Sequence, residues 1–331
     1  MIEHIVRRIV YLVPLLLMIS FISFTIITLP PGDYLTAWQA NLTQQGGISE
    51  RDAVELAQRL REHYGLDDPF LVQYGRWLFG IVRGDFGFSF IFQRPVSEII
   101  WERLQWTFVI TISAWIFSVI FGLLPGIYSA THQYGFLDNV FTVLAFLGLS
   151  IPNFFLALLL IYFLAFVVGV ESVTGLFSPE MIARPWSWAK LVDFLRHVWV
   201  PIVILGTAGT AHNMRVMRGN LLDILNQPYI QTARAKGLKE RVVVYKHALR
   251  NAIHPIIMGF GMFLPWLIEG AFIISVVLNL PTTGSAFLKS IQQQDMYLAG
   301  SFLLLVGILV VLGNLLADIA LAWVDPRVRY E

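Results

Sequence analysis

The sequence contains no cysteine and few charged residues. Without cysteine, the chain has no disulfide, no thiolate zinc site and no thiol nucleophile. Charged residues make up 14% of the chain and hydrophobic residues 56%, whereas a water-soluble domain usually carries about 25% charged residues. So little charge cannot cover a water-facing fold of 331 residues, but a fold that faces lipid does not need it. The composition therefore predicts an integral membrane protein.

Sequence signals for nucleotide binding, metal binding and catalysis are also absent. The dipeptide Gly-Lys does not occur, so the chain has no phosphate-binding loop of the G-x-x-x-x-G-K-S/T type. Its seven histidines form no pair at positions i and i+4 of the kind that binds zinc. No nucleophile with a neighbouring base stands out in the apolar segments. We therefore predict no catalytic residue, no metal site and no cofactor in this chain.

Six apolar segments are long enough to cross a membrane, which takes about 20 residues in a helix. Pro152 lies inside the third segment, where its missing backbone N–H predicts a kink. The sequence therefore predicts an all-α integral membrane protein with six transmembrane helices. The predicted spans are residues 9–29, 105–131, 140–170, 198–214, 255–280 and 297–324.

The positively charged residues indicate which segments face the cytoplasm. Residues 215–254 hold eight of the 23 Lys and Arg of the chain, and basic residues concentrate in cytoplasmic loops. We therefore expect residues 215–254 and both termini to be cytoplasmic. The predicted division is an N-terminus with the first helix (1–29), an external cap segment (30–104), a transmembrane core (105–324) that includes the loop 215–254, and a tail (325–331).

The external cap segment contains one predicted helix. Ser49 has the features of an N-cap for a helix over residues 49–64, and Gly65 follows it as a stop signal. The segment has too few apolar residues for a large core of its own. We therefore expect it to lie on the helix bundle as a cap.

Residues 226–254 have the pattern of a helical hairpin between two spans. Pro228 suits the first turn of a helix over residues 229–236, and Gly237 can close that helix in the left-handed conformation. A second helix is predicted over residues 239–253. On an ideal α-helix, four of its apolar residues share one face: Val242, Tyr245, Leu249 and Ala252.

The end of the first loop helix is small and basic. Ala233, Ala235 and Gly237 alternate with Arg234 and Lys236. Small side chains allow another backbone to approach closely, which is typical of a docking element. A basic loop held on anionic lipid explains the charge equally well, so spacing alone leaves both interpretations open.

Several motifs of the loop resemble the cytoplasmic coupling loop of ABC importer permeases of the dipeptide/oligopeptide/nickel family. They are T-A-R-A-K-G-L at 232–238 and H-A-L-R-N-A at 247–252. Gly237 matches the glycine of the general importer pattern E-A-A-x-x-x-G, while Gln231 stands at its glutamate position and Arg250 at its later proline position. The resemblance therefore implies docking to an ATPase without a glutamate-based ion pair.

The resemblance extends over nearly the whole chain. One position departs from it: the chain has P-T-T-G at 281–284, where the family commonly has P-G-x-G. The matching motifs are P-G-D at 31–33, Y-G-L-D-D-P at 64–69, R-G-D-F-G at 83–87, S-I-P-N-F at 150–154 and D-P-R-V-R at 325–329.

The resemblance implies a type I ABC importer fold and a heteromeric importer in a bacterial or archaeal inner membrane. This chain would form half of the pathway, with a second homologous permease, two cytoplasmic ATPases that bind the ATP, an external substrate-binding protein and membrane lipid as partners, and no nucleic acid. The implied cargo is peptides or similar oligomers. Oligosaccharides or nickel complexes are the alternatives within the family, and an ion-coupled secondary transporter is the alternative outside it.

Two groups of candidate site residues follow from this comparison. Glu269 and Asn153 are candidates for lining the substrate pathway, although an intramembrane carboxylate such as Glu269 or Asp318 also serves as a hydrogen-bond partner between helices. The candidates for coupling to the ATPase are Gln231, Thr232, Ala233, Arg234, Ala235, Lys236, Gly237, Leu238, His247 and Arg250.

Overall fold

The computed structural model describes residues 2–29, 34–36, 39 and 49–324, with the side chains of 12–29, 34–36, 39, 49, 51–62, 65–259 and 271–315. The predicted motifs at 31–33 and 325–329 lie outside the described residues. Helices dominate the described part of the chain, as expected for an all-α membrane protein.

The first helices and a short hairpin precede a long helix. They are α1 (Ile2–Thr28), α2 (Glu50–Tyr64), α3 (Phe70–Val82), the antiparallel strands β1 (Phe88–Ser89) and β2 (Arg94–Pro95), and α4 (Val96–Thr131). In the hairpin register, Phe88 lies opposite Pro95 and Ser89 opposite Arg94.

The remaining elements contain two π-helical segments. They are α5 (Phe136–Ser150), α6 (Asn153–Tyr162), π1 (Phe163–Val168), α7 (Pro179–Ile182), α8 (Trp188–Leu225), α9 (Pro228–Ala235), α10 (Glu240–Val242), π2 (Val243–Ala248), α11 (Leu249–Ala252), α12 (His254–Val277), α13 (Thr283–Gln292) and α14 (Met296–Val324).

Helices run through all six predicted spans. Among the described residues, Val96–Thr131, Trp188–Leu225 and Met296–Leu315 are each long and apolar enough to cross a membrane. The pair Phe136–Ser150 and Asn153–Val168 meets the same criterion when it is taken as one broken span. The helices α1 and α12 cover the first and fifth predicted spans, with 27 and 24 residues.

Two predicted spans differ from the structure in detail. The third is broken at Pro152, where the two helices meet at 103°, because a proline and an extended residue before it end the α5 hydrogen-bond ladder. The fourth predicted span, 198–214, lies within α8, which has 38 residues and continues to Leu225.

The chain divides into two compact units, one of Met1–Gln105 with Thr282–Leu312 and the other of Trp106–Pro281 with Gly313–Glu331. The two units are defined by contacts within the chain, whereas the predicted division into N-terminus, cap segment, core and tail was defined by the sides of the membrane. That division therefore stays a prediction. Each unit has its own buried clusters of apolar side chains.

Within the first unit, aromatic side chains pack α1 against α3. The ring of Phe24 lies 5.2 Å from that of Trp77, and the hydroxyls of Ser20 and Tyr74 are 2.8 Å apart. Gly300 of α14 leaves room for the Trp77 ring, since a Cβ at Gly300 would lie 3.2 Å from it. Close contacts of this kind are typical of helix packing in membranes, where small residues let helices approach.

The predicted cap helix is confirmed as α2. The Ser49 side chain accepts a hydrogen bond from the Asp52 N–H, and Gly65 ends the helix with a φ of +64°. The next helix, α3, was not predicted from the sequence. The cap segment therefore contains at least two helices.

The R-G-D-F-G motif forms a tight turn after α3. Gly84 and Gly87 have φ values of +83° and +86°, and the Asp85 Oδ1 accepts a hydrogen bond of 2.9 Å from the Gly87 N–H. These conformations suit glycine because it has no Cβ. The motif therefore has a structural basis, which is to lead α3 into the β1–β2 hairpin.

A buried carboxylate ties this hairpin to the start of α14. The Ser89 Oγ donates to Asp295 Oδ2 over 2.7 Å, and the backbone N–H groups of Ile91 and Leu298 donate to Asp295 over 3.2 Å each. Asp295 is fully buried. Burial raises the pKa of this carboxyl above its ordinary value, although the hydrogen bonds act in the opposite direction.

Within the second unit, glycines bring helices close to α8. A Cβ at Gly122 or Gly126 of α4 would lie within 3.0 Å of α8 atoms. On α5, a Cβ at Gly148 would lie 3.2 Å from the Thr207 side chain. Helix α8 is thus the central helix against which α4 and α5 pack.

Candidate coupling loop

The loop between α8 and α12 is a compact helical hairpin, as predicted. After α8 ends at Leu225, Pro228 occupies the first turn of α9, where its missing N–H leaves no hydrogen bond unmade. Helix α9 then runs to Ala235, and the chain turns back through α10, π2 and α11.

Gly237 closes α9 in the left-handed conformation, which confirms the prediction. Its φ is +74°, its N–H donates to the Arg234 carbonyl over 2.9 Å, and the Leu238 N–H donates to the Ala233 carbonyl over 3.4 Å. A Cβ at Gly237 would meet no atom within 4 Å. The requirement for glycine here is therefore conformational rather than steric.

The second helix of the hairpin is not a regular α-helix. Residues Val243–Ala248 are π-helical, and a π turn shifts the side chains that follow it around the helix axis. Val243 and Val244 are buried, whereas Val242 and Tyr245 are 37% and 56% exposed. The predicted common face of Val242, Tyr245, Leu249 and Ala252 is therefore wrong, because it assumed an unbroken 3.6-residue period.

A buried cluster fixes the hairpin to the ends of the long helices. Burial of this many apolar side chains makes the hairpin part of the helix bundle rather than a loose loop. Its members come from α4, α8, the hairpin and α12: Ile127, Ala130, Met217, Leu221, Ile230, Ala233, Val243, Ala248, Ala252 and Ile256.

Ala233 belongs to this cluster and is 8% exposed. The prediction that it contributes to an exposed small tip is therefore wrong, because α9 turns the side chain of Ala233 toward the buried side of the hairpin, as it does that of Ile230. Ala235 and Gly237 are exposed, as a tip requires.

Polar contacts close the hairpin on itself. The Arg234 guanidinium donates to both Glu240 carboxylate oxygens, over 2.6 and 3.1 Å, and these hydrogen bonds hold the pKa of Glu240 below its usual range. The Asn251 Nδ2 donates to the Tyr229 hydroxyl over 2.9 Å. Arg234 thus has an acidic partner within the hairpin.

The exposed face of the hairpin combines apolar and basic side chains. Four apolar side chains are 37% to 56% exposed on it: Tyr229, Leu238, Val242 and Tyr245. The other exposed residues include Gln231, Thr232, Ala235, Lys236, Lys239, Arg241 and Arg250, while His247 is half-buried. Sequence reasoning missed Tyr229, Val242 and Tyr245 as surface residues, since the π turn that exposes two of them has no recognised sequence signal.

A partly buried ion pair braces α8 close to the hairpin. Arg218 donates to both oxygens of Asp138, over 3.0 Å each, and the Tyr134 N–H donates to Asp138 over 2.9 Å. Asp138 is 2% exposed. The pair links the start of α5 to α8 seven residues before α8 ends, and the 80-residue separation of its members left no local signal in the sequence.

The candidate pathway residues are only partly described. Asn153 is the first residue of α6, directly after the break at Pro152, and it is half-buried. The side chains of Glu269 and Asp318 lie outside the described residues. Their proposed roles stay predictions.

Comparison with known proteins yields matches along the chain. Residues 118–330 match the family model described as binding-protein-dependent transport system inner membrane component. Residues 1–111 match the model of the N-terminal part of such membrane components.

Curated relatives match over their full length. The chain is 38% identical to the oligopeptide transport system permease protein AppB of Bacillus subtilis (strain 168) over 331 residues, which is 100% of both chains. It is 32% identical to the dipeptide transport system permease protein DppB of Alkalihalophilus pseudofirmus and 31% identical to the glutathione transport system permease protein GsiC of Escherichia coli O1:K1 / APEC, again with 100% of both chains covered.

Proposed function

Because the chain belongs to the family of binding-protein-dependent transport system inner membrane components, we propose that it is a permease subunit of an ATP-driven peptide importer. It is the first of two paired permeases and forms half of the translocation pathway. It has no ATPase activity of its own. Two cytoplasmic ATPases bind the ATP, and an external binding protein delivers the cargo.

The closed helical hairpin is the observation that carries this proposal. Its buried side fixes it to α4, α8 and α12, and an exposed ion pair between Arg234 and Glu240 closes it on itself. The exposed side presents Tyr229, Leu238 and Tyr245. A compact element with exposed apolar side chains suits a groove in a soluble partner, as amphipathic helices do in helix-in-groove recognition.

The cations on the hairpin favour the same role over lipid anchoring. Lys236 and Arg241 are also exposed on the hairpin, and exposed charges of this kind steer association with an acidic partner. Lipid binding would need the cations alone. Lipid anchoring gives no reason for a hairpin whose first helix is closed by Gly237 and whose other side is packed in a buried cluster.

The orientation follows from this role. An element that receives an ATPase must be cytoplasmic, and the eight basic residues of 215–254 agree with that side. Both termini are then cytoplasmic, and residues 30–104 are external, where they meet the binding protein.

Peptides are the proposed cargo because three relatives of full coverage are named for oligopeptide, dipeptide and glutathione transport. The described pathway residue Asn153 does not by itself distinguish peptides from other oligomers. The cargo class therefore depends on the relatives, while the coupling role depends on the hairpin.

The test is reconstitution of the complete importer in proteoliposomes. An affinity tag on this chain should recover two ATPases, and a mixed pool of short peptides should be taken up only with ATP and the binding protein present. Uptake driven by an ion gradient without ATP would contradict the proposal and favour a secondary transporter. Uptake of sugars or nickel complexes instead of peptides would contradict the cargo alone.

A further inference from the structure

Helix α3 of the cap segment has an outer side that consists of large apolar side chains. Leu71 and Val82 on this side are 70% and 79% exposed, and Phe79 between them is 58% exposed. At 3.6 residues per turn, the three positions fall within about 80° of one another around the helix axis. An exposed apolar patch of this kind marks a surface that contacts lipid or another protein.

Helix α3 crosses α1 and does not run along it. The rings of Phe70 and Trp77 lie 5.5 Å and 5.2 Å from the same ring, that of Phe24 in α1. Seven residues advance a helix by about 10.5 Å, so a helix running along α1 would place Phe70 and Trp77 against residues about two turns apart. Because α1 covers a predicted span, a helix that crosses it steeply lies close to the membrane plane.

The crossing lies inside the ends of two predicted spanning helices. Phe24 is four residues before Thr28, the last residue of α1. The Trp77 ring would lie 3.2 Å from a Cβ at Gly300, which is four residues after Met296, the first residue of α14. Four residues correspond to about 6 Å of helix, so both helices give the same depth for α3. An interfacial helix buries its apolar side about 5–10 Å into the boundary between headgroups and acyl chains.

The polar side chains of α3 lie on a different side of the helix. Gln73 donates to the Leu66 and Asp68 carbonyls over 2.8 and 2.7 Å, and Arg76 pairs with the Asp68 carboxylate over 2.6 Å. This polar side is therefore bonded to the connection that leads from α2. One helix with a packed side, an apolar side and a polar side has the pattern of an element that lies between protein, lipid and water.

The surroundings of the outer side favour lipid over a protein partner. The apolar surface continues onto α1, since the rings of Phe70 and Phe21 lie 5.8 Å apart and these residues are 36% and 41% exposed. At the end of α3, the Arg83 guanidinium lies 3.9 Å from the centre of the Phe79 ring. A cation above an apolar ring suits the lipid boundary, where its charge reaches the headgroup phosphates.

We infer that α3 lies flat in the lipid interface of the external leaflet, with Leu71, Phe79 and Val82 among the upper parts of the acyl chains. Its polar side then faces headgroups and water. The inference goes beyond the proposed function, and only the choice of leaflet depends on the proposed orientation. It divides the cap segment, because α3 belongs to the membrane and not to the water-facing part that is proposed to meet the binding protein.

The test places a bimane fluorophore on single cysteines of the complete importer in lipid nanodiscs. The chain has no cysteine of its own, so an importer with the unsubstituted chain measures any label on the partner subunits. Leu71→Cys and Val82→Cys report on the two ends of the outer side. Quenching by phosphatidylcholine with a nitroxide near the top of its acyl chain measures contact with lipid, and quenching by iodide measures contact with water.

We expect the nitroxide lipid to quench both labels to the same extent, because a helix in the membrane plane keeps them at one depth. Iodide should quench them about fivefold less than it quenches a label at Arg59→Cys, since the outer side is buried among acyl chains. Arg59 is the matched control because its side chain on α2 is 72% exposed and pairs with Glu55 one turn away. Val72→Cys, 49% exposed beside Leu71, replaces a variant that does not assemble.

Three outcomes would overturn the inference. Iodide quenching of both labels as strong as at Arg59→Cys would place the outer side in water. Weak quenching by both lipid and iodide would show that another subunit covers it. Lipid quenching at only one of the two positions would show that α3 stands upright in the leaflet. None of these results depends on uptake driven by ATP, so the proposed function is tested separately.

Discussion

The helical hairpin between α8 and α12 and the glycine turn of the cap segment both connect helices, and each lies close to carboxylates that stabilise it. In the loop, Glu240 faces the guanidinium of Arg234, and Asp138 beneath it faces Arg218. Next to the glycine turn, the hairpin of the cap segment is held by the buried Asp295 at the start of α14, which receives hydrogen bonds from Ser89 and backbone N–H groups. In the loop region, each carboxylate is thus stabilised by a guanidinium. Around Asp295, the carboxylate is stabilised by hydroxyl and backbone N–H dipoles instead.

This difference determines how each region responds to mutation and to pH. A cation lowers the pKa of its carboxylate partner, whereas burial without a cation raises it. Removing one member of an ion pair leaves the other without compensation, so the loop region should be sensitive to single substitutions. The cap region should be sensitive to protonation instead. The following predictions separate the two cases, from the largest expected effect to the smallest.

Arg218→Ala should have the largest effect on stability. It leaves Asp138 without its cation, which should cost on the order of 2–3 kcal/mol, since the Arg218 side chain is 30% exposed and Asp138 keeps the hydrogen bond from the Tyr134 N–H. Thermal unfolding of the purified complex, followed by intrinsic fluorescence, measures the loss.

The double variant Asp138→Asn with Arg218→Ala is the control for this prediction. Because it removes the stranded charge, it should recover part of the lost stability. If the double variant is less stable than Arg218→Ala alone, the charge of Asp138 is not the cause of the destabilisation.

Ala233→Glu should destabilise the hairpin itself, by about 2 kcal/mol, because it places a carboxylate in the buried cluster. Ala235→Glu, two residues later on the exposed side, should leave the fold intact and weaken recovery of the ATPases. Proteolysis of the loop in the isolated permease and co-purification of the ATPases measure these two effects. Equal protease sensitivity of the two variants would contradict the assignment of Ala233 to the buried side.

Gly237→Val should impair coupling while the spans remain folded. Valine in the left-handed conformation costs on the order of 1–2 kcal/mol, so the end of α9 should change its path. Cargo uptake and cargo-stimulated ATP hydrolysis in proteoliposomes should both fall.

Lys239→Ala is the control for the glycine substitution, since Lys239 is exposed and next to the same turn. It should change uptake little. If Gly237→Val retains normal uptake and stimulated hydrolysis in an assembled complex, the hairpin does not couple the ATPases to transport.

The smallest effects should be two pH dependences of opposite sign. The pKa of Asp295 is raised above its ordinary value of 3.8, so its contribution to stability is present at low pH and is lost as pH rises through the folded pKa. The pKa of Glu240 is lowered from 4.5, so its contribution is present above that value and is lost as pH falls.

Asp295→Asn and Glu240→Gln measure these contributions separately. The measurement is the unfolding temperature as a function of pH across the acidic range. Asp295 should make the unfolding temperature fall as pH rises, and Asp295→Asn should remove that fall. Glu240 should make it rise as pH rises, and Glu240→Gln should remove that rise. Because Glu240 is exposed, its component should be the smaller of the two. If both variants change the slope of unfolding temperature against pH in the same direction, the two regions do not differ in their response to pH.

Local chemistry allowed the sequence to predict much of the fold. Pro228 and Gly237 mark the two ends of α9, and Ser49 and Gly65 mark the ends of α2, because caps depend on residues within one turn of the helix end. The spans follow from runs of apolar residues. The cap helix, the hairpin and the all-α membrane fold were predicted on this basis.

Features that depend on distant residues could not be predicted. Ser89 and Asp295 are 206 residues apart, and Asp138 and Arg218 are 80 residues apart, so no spacing rule connects them. The π turn at Val243–Ala248 could not be predicted either, since the apolar residues there fit an α-helical face as well as a π-helical one. That ambiguity is why Tyr245 was assigned to the wrong side.

The length of α8 has a mechanical consequence. Its 38 residues span about 57 Å at 1.5 Å per residue, whereas the hydrocarbon core of a bilayer is about 30 Å thick. The helix is therefore a rod that projects well beyond the membrane, and Met217 and Leu221 near its end are part of the base of the hairpin. Pro201 interrupts the hydrogen-bond ladder of α8. We therefore expect a displacement of the hairpin to carry the part of α8 after Pro201 with it as one arm, and to bend the helix at the proline.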